Sequence, residues 1–187
     1  MPGNSVKDRL LEAAVVCLQR QGYAATTARD IASEARANLR SIGYHYGSTR
    51  GLLLAAISAN WRRWLAPLIA AASSDARSPE ERLVEGMVLF STALSENAPM
   101  AHAWLEAVTL APRDAALRAT LAANQQEFRT ALAANLAASG QPDADMRAGA
   151  IITICDGLIV HFLLYGEARR PKDIAHQAAA ALAHLGE

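Results

Sequence analysis

The side chains with the clearest capacity for chemistry occur in quick succession between residues 40 and 45. Arg40 can donate two parallel hydrogen bonds to O6 and N7 of a guanine, a contact worth roughly 1–3 kcal/mol of discrimination between bases. Ser41 can bond several base edges or a phosphate. Tyr44 and His45 can hold phosphates, which sets the register of a protein on a duplex without reading its sequence. These residue types favour contact with nucleic acid.

Other reactive side chains form no catalytic or metal-binding pattern. His102 and Glu106 lie four residues apart, but a surface pair or a contact to a bound molecule explains them better than a metal ion does. No serine stands in the glycine-flanked turn used by catalytic triads. We therefore expect no enzyme activity, no cofactor and no metal. Cys17 and Cys155 show no resolving partner or basic neighbourhood and are expected to be buried packing residues rather than redox switches.

The composition predicts an all-α protein. Alanine, the strongest helix former and a poor strand former, supplies 42 of the 187 residues, against 11 glycines and 7 prolines. A hydrophobic content of 52% and a net charge of zero argue against disorder. Two cysteines without a short spacing argue against a disulfide scaffold and favour a reducing cytoplasm.

No segment is expected to cross a membrane or to direct secretion. The start of the chain is polar and leads into an amphipathic stretch, unlike a signal peptide. The most apolar window, residues 148–165, contains Asp156 and His161 and falls short of the roughly 20 apolar residues that span a bilayer. We expect it to be a helix buried by other protein, with Asp156 either buried beside a partner or at a seam or pocket.

The net charge of zero conceals an uneven distribution. Residues 1–50 contain seven basic and four acidic residues, whereas residues 51–187 contain eleven basic and fourteen acidic residues. A small basic segment joined to a mildly acidic body suits a nucleic-acid binder with a separate sensing or assembly domain.

Signals for three helices lie in the first 50 residues. Residues 5–20 place apolar side chains at helical spacing, and Gly22 suits the left-handed end of that helix. Thr27 and Asp30 fit a capping box for a second helix, and Asn38 is a good cap for a third. Two short helices joined by a turn and braced by a longer helix form a helix-turn-helix, whose second helix enters the DNA major groove.

Helical signals continue to the end of the chain, so the predicted fold is all-α with about nine helices. An N-terminal helix-turn-helix domain is predicted for residues 1–52, and a helical ligand-binding and dimerisation domain for residues 53–187. The predicted helices span about 5–20, 28–35, 38–46, 50–70, 78–95, 99–110, 114–138, 143–165 and 172–185.

Residues 6–57 resemble the N-terminal DNA-binding domain of TetR-family transcriptional repressors. The resembling stretches are LEAA at residues 11–14, GYAATT at 22–27, DIA at 30–32, SIGYHYGS at 41–48 and LL at 52–53. The rest of the chain matches that family in length and helical character rather than by motif. The resemblance implies a homodimer that binds a palindromic operator, and a C-terminal domain that binds a small molecule.

The resemblance also implies roles for single residues. Thr27 would cap the second helix and contact a phosphate, and Tyr44 with His45 would contact the DNA backbone. Bases would face residues 39–41. The full set of predicted DNA-contacting residues is Thr27, Arg29, Arg36, Leu39, Arg40, Ser41, Tyr44, His45, Thr49 and Arg50.

Three positions depart from the family pattern. Arg36 stands where the family usually has glycine, so we expect its backbone to adopt an allowed angle at some strain. Leu39 stands where the residue is often basic or polar. Thr49 replaces a phosphate-binding lysine, and the neighbouring Arg50 is a candidate substitute for it.

The C-terminal body offers a candidate effector site and a candidate dimer interface. The side chains predicted to border a mainly apolar cavity are Trp61, Trp64, Phe90, His102, Trp104, Phe128 and His161, although a solid core explains the aromatic residues equally well. By the family resemblance, helices at 143–165 and 172–185 would form the dimer, and their small residues permit close helix approach.

The sequence-level hypothesis is a cytoplasmic, ligand-responsive repressor that binds double-stranded DNA as a homodimer. A bound small molecule would shift the fourth helix and change the spacing of the two DNA-binding domains. The alternative is a helical protein-interaction module with little DNA affinity, motivated by Leu39 and Thr49. An enzyme is a third class that no residue set supports.

Overall fold

The computed structural model describes residues 5–72 and 78–166, together with residues 173, 176 and 177. Every described element is helical, which confirms the predicted all-α class. Most of the helix predicted at 172–185 lies outside the described residues. The elements are α1 (Val6–Ala25), α2 (Ala28–Glu34), α3 (Arg40–Tyr46), α4 (Thr49–Ala72), α5 (Pro79–Glu96), α6 (Ala98–Leu110), a short 3₁₀ turn (Ala111–Arg113), α7 (Ala115–Ala138) and α8 (Ala144–Tyr165).

Capping boxes set the starts of three helices. The Thr27 hydroxyl accepts from the backbone of Asp30, whose carboxylate accepts from the backbone of Thr27, as predicted. Ser78 and Glu81 form the same reciprocal pair at α5, with Pro79 in its first turn. Each pair satisfies two backbone N–H groups that the helix itself cannot. Ser5 caps α1 in the same way, together with Asp8.

The chain forms two compact units. The first contains residues 1–61 and 99–121, so α6 and the first turns of α7 cluster with the three N-terminal helices. Its interior is apolar, and α1 packs against both α2 and α3. Fully buried side chains of this unit include Leu10, Leu18, Ile31, Leu52 and Leu117.

The second unit contains residues 62–98 and 122–187. Its core includes Trp64, Met87, Phe90, Leu132 and Ile159, and α5 packs against α8. On α5 the buried Met87, Phe90 and Leu94 lie three and four positions apart, the spacing that places one apolar stripe on the core side.

The outward side of α8 differs from the expectation of a helix buried by protein. In the described part of the chain, α8 alone is long and apolar enough to cross a membrane by length and composition, with a mean hydropathy of 1.8. Only 33% of its most apolar stretch is buried. Ile151 and Ile159 face inward, whereas Met146 and Leu164 are 67% and 70% exposed. The helix therefore carries a second apolar side that the described residues leave exposed.

Candidate nucleic-acid interface

Helix α3 presents the predicted base-reading side chains outward. Ile42 is buried and anchors the helix, while Leu39, Arg40 and Tyr44 are exposed. Tyr44 is 86% exposed and therefore does not pack in the core. The N-cap position of α3 is Leu39 rather than the predicted Asn38, and no side chain caps the helix. The Asn38 side chain instead accepts a 2.9 Å hydrogen bond from the backbone N–H of Arg40, two residues on, in the turn that leads into the helix.

Contacts with α1 hold α3 in place. The Tyr46 hydroxyl donates a 2.8 Å hydrogen bond to the backbone carbonyl of Lys7, and partial burial raises the pKa of that hydroxyl. His45 is half-buried and packs edge-on against the Tyr44 ring at 4.8 Å between centroids. Ser41 is also half-buried. The exposed and half-buried polar groups of α3 therefore share a surface supported by the apolar interior.

The turn between α2 and α3 contains the departure expected at Arg36. Its φ is +48°, in the left-handed region that favours glycine. The backbone N–H groups of Arg36 and Ala37 bond to carbonyls of α2, and Arg9 donates to the Ala35 carbonyl at 3.4 Å. The turn is thus well bonded, and the exposed Arg36 side chain lies beside the recognition helix in sequence and on the surface.

The arginines of the first unit differ in their partners. Arg20 forms a 3.1 Å ion pair with Glu34. By contrast, Arg29, Arg36 and Arg40 are exposed and make no ion pair or side-chain hydrogen bond within residues 5–72 and 78–166. Their charges are available to phosphates, which supply most of the affinity of a DNA-binding protein.

Thr49 and Arg50 begin α4, where a phosphate contact is predicted. Thr49 is half-buried and neutral. The Arg50 guanidinium is bonded to the carboxylate of Asp114, a partner that no local pattern could reveal. Asp114 also caps α7 by accepting from Leu117 at 2.8 Å.

The predicted effector residues are divided between the interiors of the two units and the surface. Trp61 and Trp104 are buried in the first unit, with nearly parallel rings 5.5 Å apart. Trp64, Phe90 and Phe128 are buried in the second unit. His102 and His161 are exposed, so the structure does not place them in either interior.

Buried polar groups in the second unit were missed from the sequence. Ser91 and Asn124 are 1% and 6% exposed, and the Ser91 hydroxyl and Asn124 amide nitrogen have no hydrogen-bond partner among the described residues. Asp156 is half-buried and accepts from the half-buried Gln125 amide at 3.0 and 3.2 Å, so it has a polar partner. Burial raises the pKa of Asp156 despite these bonds.

Both cysteines are buried, as predicted. Cys17 nevertheless has a basic neighbour, because an Arg20 nitrogen lies 3.6 Å from its sulfur. Burial outweighs that charge and raises the pKa of the Cys17 thiol, and burial also raises the pKa of Cys155. A raised thiol pKa disfavours the reactive thiolate.

An exposed recognition helix, braced by α1 and surrounded by available arginines, defines a helix-turn-helix DNA-binding protein. Comparison with known proteins agrees with this class. Residues 10–56 match the family model for bacterial regulatory proteins of the tetR family, and residues 78–187 match the model for the tetracyclin repressor-like C-terminal domain. The chain belongs to the TetR family of transcriptional regulators.

One curated relative and several solved structures are similar to the chain. The relative is the probable HTH-type transcriptional regulator YttP of Bacillus subtilis (strain 168), 30% identical over 82 residues, a match that covers 43% of this chain and 40% of that protein's length. A TetR regulator from Haloarcula marismortui has 22% identity and a TM-score of 0.75, with 96% and 97% of the two chains covered. The multidrug binding protein EbrR, complexed with proflavin, has 22% identity and a TM-score of 0.68, with 97% and 99% covered.

Proposed function

We propose that this regulator is a cytoplasmic repressor that binds a palindromic operator as a homodimer and is controlled by a small molecule. The observation that carries the DNA-binding part is the surface of α3, where Arg40 and Tyr44 are exposed while Ile42 anchors the helix from inside. Arg40 reads a guanine, Tyr44 and His45 contact phosphates, and Arg29 and Arg36 add charge beside them.

The uncovered side of α8 supports a homodimer. Its exposed and half-buried positions recur at alternating spacings of four and three residues, the repeat of a helix that packs along a partner helix. These positions are Met146, Ala150, Thr153, Gly157, Val160 and Leu164. Small residues in the middle let two helices approach closely, and apolar residues at both ends gain from being covered. A second copy supplies the same stripe by symmetry.

Dimerisation explains how a small DNA-binding domain reaches useful affinity. One α3 contacts only a few bases, so a single half-site is bound weakly. Two copies related by a twofold axis place their recognition helices in successive major grooves, about 34 Å apart. The operator is then a palindrome, because its symmetry follows that of the protein.

The charged residues of α8 outside this stripe support a location away from the membrane. A spanning helix needs lipid-compatible side chains around its whole circumference, but α8 carries Asp156 and an ion pair between Asp145 and Arg129. Charged and polar groups within a membrane span are costly. We assign the apolar outer side of α8 to a second copy rather than to lipid, which suits a protein that meets DNA in the cytoplasm.

The interior of the second unit supports an effector site. The Ser91 hydroxyl and the Asn124 amide each interrupt a buried apolar stripe, next to Phe90 and one turn before Phe128. Leaving such a group unbonded costs about 1–3 kcal/mol. A mostly apolar ligand with a hydrogen-bond acceptor would satisfy them. The proflavin complex of EbrR supports ligand binding by a protein of this fold.

Selection of bound DNA from a random pool tests the proposal. The wild-type protein is expected to enrich a palindrome. Arg40→Ala should bind that palindrome roughly 5- to 150-fold more weakly, the range equivalent to the loss of one two-pronged base contact. Arg118→Ala, which removes an exposed arginine of α7, is the matched control and should bind like the wild type. Equal binding by Arg40→Ala would remove α3 from the interface.

A further inference from the structure

We propose that Glu106, on α6, is a positioning residue of the DNA-binding unit. Its carboxylate bonds to the backbone at a break near the C-terminal end of α1, just before α2. One oxygen accepts a 2.8 Å hydrogen bond from the backbone N–H of Tyr23, and the other accepts a 2.9 Å bond from that of Ala24. The proposal rests on the proposed operator binding, and it assigns to α6 a role in the geometry of the recognition helix.

The break in α1 creates the need for such an acceptor. Gly22 has φ +80° and ψ 179°, which are not helical values. The chain therefore turns away from the helix, and the two following N–H groups lie outside its regular bonding pattern. Backbone N–H groups that leave the helical pattern need another acceptor, from a side chain or from water. A single bidentate carboxylate satisfies both through charge-assisted hydrogen bonds, which are stronger than neutral ones.

Glycine at position 22 meets two requirements at once. Its positive φ is one that residues with a side chain rarely adopt. In addition, the Glu106 carboxylate occupies the place where a Cβ on residue 22 would lie. The absence of a side chain at Gly22 thus lets the carboxylate approach the backbone of the α1 end directly.

The bonded turn leads straight into the helix-turn-helix. Thr26 donates a 2.6 Å hydrogen bond to the Gly22 carbonyl. Gln21 donates to both the Ala25 carbonyl and the Asp30 carboxylate, and Asp30 belongs to the capping box that begins α2. Every one of these bonds comes from within the turn and its neighbours, whereas Glu106 lies more than 80 residues away. It ties the turn to α6.

This tie has a consequence for DNA recognition. Helix α1 packs against α2 and α3, so a displaced α1 end changes the support of the recognition helix. Residues 99–121 also cluster with the N-terminal helices in one compact unit. The DNA-binding unit is therefore completed by α6, although the family model for the N-terminal domain ends at residue 56.

Two measurements on the full-length protein test this role. The first is affinity for the selected palindrome, and the second is hydrogen exchange of the amides at residues 22–26 in the absence of DNA. Glu106→Ala should lower the affinity at least tenfold and speed exchange in that segment, while exchange in α8 stays unchanged. Glu106→Gln should be intermediate, because an amide offers one acceptor oxygen and its NH₂ group opposes the second N–H. Glu96→Ala, the loss of an exposed carboxylate on α5, is the control.

The two measurements distinguish a failure of the Glu106 proposal from a failure of the operator proposal. Wild-type affinity in Glu106→Ala would overturn the positioning role, as would unchanged exchange at residues 22–26. Faster exchange throughout the protein would overturn it as well, since Glu106 would then stabilise the whole fold. If the wild-type protein selects no palindrome, the operator proposal fails, and the exchange measurement still decides whether Glu106 holds the turn.

Discussion

The Arg50 guanidinium at the start of α4 is bonded to the carboxylate of Asp114, which precedes α7. The same carboxylate accepts from the backbone N–H of Leu117, and this backbone bond is the main cause of the lowered pKa of Asp114. Tyr23 lies at this pair, where its hydroxyl hydrogen-bonds with Arg50, and burial raises its pKa. The pair holds an arginine that the sequence assigns to a DNA phosphate.

Asp114→Asn should release Arg50 without removing the α7 cap, because the amide oxygen still accepts from Leu117. The freed guanidinium can then reach a phosphate, so affinity for the operator should rise and its dependence on salt should steepen by about one counterion. Binding measured over a salt series provides the check. Asp114→Ala loses the cap too and should melt at a lower temperature. An unchanged salt slope in Asp114→Asn would place Arg50 outside the DNA interface.

Arg36→Gly should stabilise the protein, because a left-handed residue with a side chain is strained by roughly 1–2 kcal/mol and glycine is not. The greater freedom of glycine in the unfolded chain offsets part of this gain, so we expect a net increase of about 0.5–1 kcal/mol in the free energy of unfolding. Urea denaturation measures it.

Arg36→Ala is the matched variant, since it keeps the strain and removes the guanidinium. Both variants lack the guanidinium. If Arg36 contacts a phosphate, the slope of the logarithm of the DNA-binding constant against the logarithm of the salt concentration should become shallower by about one in both. A glycine variant less stable than the alanine variant would contradict the strain at position 36.

Asp156→Asn should stabilise the protein at neutral pH. Burial raises the pKa of Asp156 above its ordinary 3.8, so the native state binds more protons than the unfolded state between these two values. The protonated Asp156 carboxyl therefore contributes fully to the free energy of unfolding at pH values below its pKa in the unfolded chain. This contribution is lost as the pH rises through the higher pKa of Asp156 in the folded protein. Asparagine has no charge to desolvate and keeps an acceptor for Gln125.

The free energy of unfolding of Asp156→Asn should therefore exceed that of the wild type by an amount that grows as the pH rises from the unfolded to the folded pKa of Asp156. Above the folded pKa the difference should remain constant, as measured by denaturation at several pH values. Asp145→Asn, on the same helix, removes an exposed ion pair instead and should bring no gain. A variant advantage that shrinks toward neutral pH would refute the buried-carboxylate argument.

Asn124→Leu should raise the free energy of unfolding by about 1 kcal/mol, because replacing an unbonded buried polar group with an apolar one of similar shape removes a desolvation penalty. It should also abolish any effector response that relies on the amide. Asn38→Leu is the opposite case, since it loses the hydrogen bond from the backbone N–H of Arg40 before α3 and should destabilise the protein. A large loss of stability in Asn124→Leu would show that the amide is bonded in solution.

Val160→Glu should convert the homodimer to monomers, because two like charges would then face each other across the twofold axis of the α8 stripe. Val160 is 41% exposed, so the monomer fold should tolerate the change. Sedimentation at several protein concentrations distinguishes the two states. Gln126→Glu adds the same charge at an exposed position of α7 and should leave the dimer intact. A stable Val160→Glu dimer would place the interface elsewhere.

The local sequence pattern predicted the structure correctly where residues close together in the chain determine it. The starts of α2 and α5 follow from Thr27 with Asp30 and from Ser78 with Glu81, each pair three residues apart. The outward display of Arg40 and Tyr44 around a buried Ile42 follows from helical periodicity. The strain at Arg36 was expected from the family resemblance rather than from local pattern, because the family usually has glycine at that position of the turn.

The partners that lie far apart in the chain could not be foreseen in this way. Nothing near Glu106 indicates that its carboxylate bonds to Tyr23 and Ala24, and nothing near Arg50 indicates Asp114. Likewise, the aromatic candidates looked equivalent in sequence, yet Trp61 and Trp104 are buried in one unit and Trp64 in the other, while His102 and His161 face outward.

The amino-acid sequence by itself determined the helices, their caps and the residues offered to DNA, because each depends on side chains within about one helical turn. Tertiary structure alone decided that α6 completes the DNA-binding unit, that Arg50 is held by a carboxylate, and that α8 keeps one apolar side uncovered. These features depend on which distant surfaces pack together, and that choice is made by the sum of many weak contacts rather than by any local spacing.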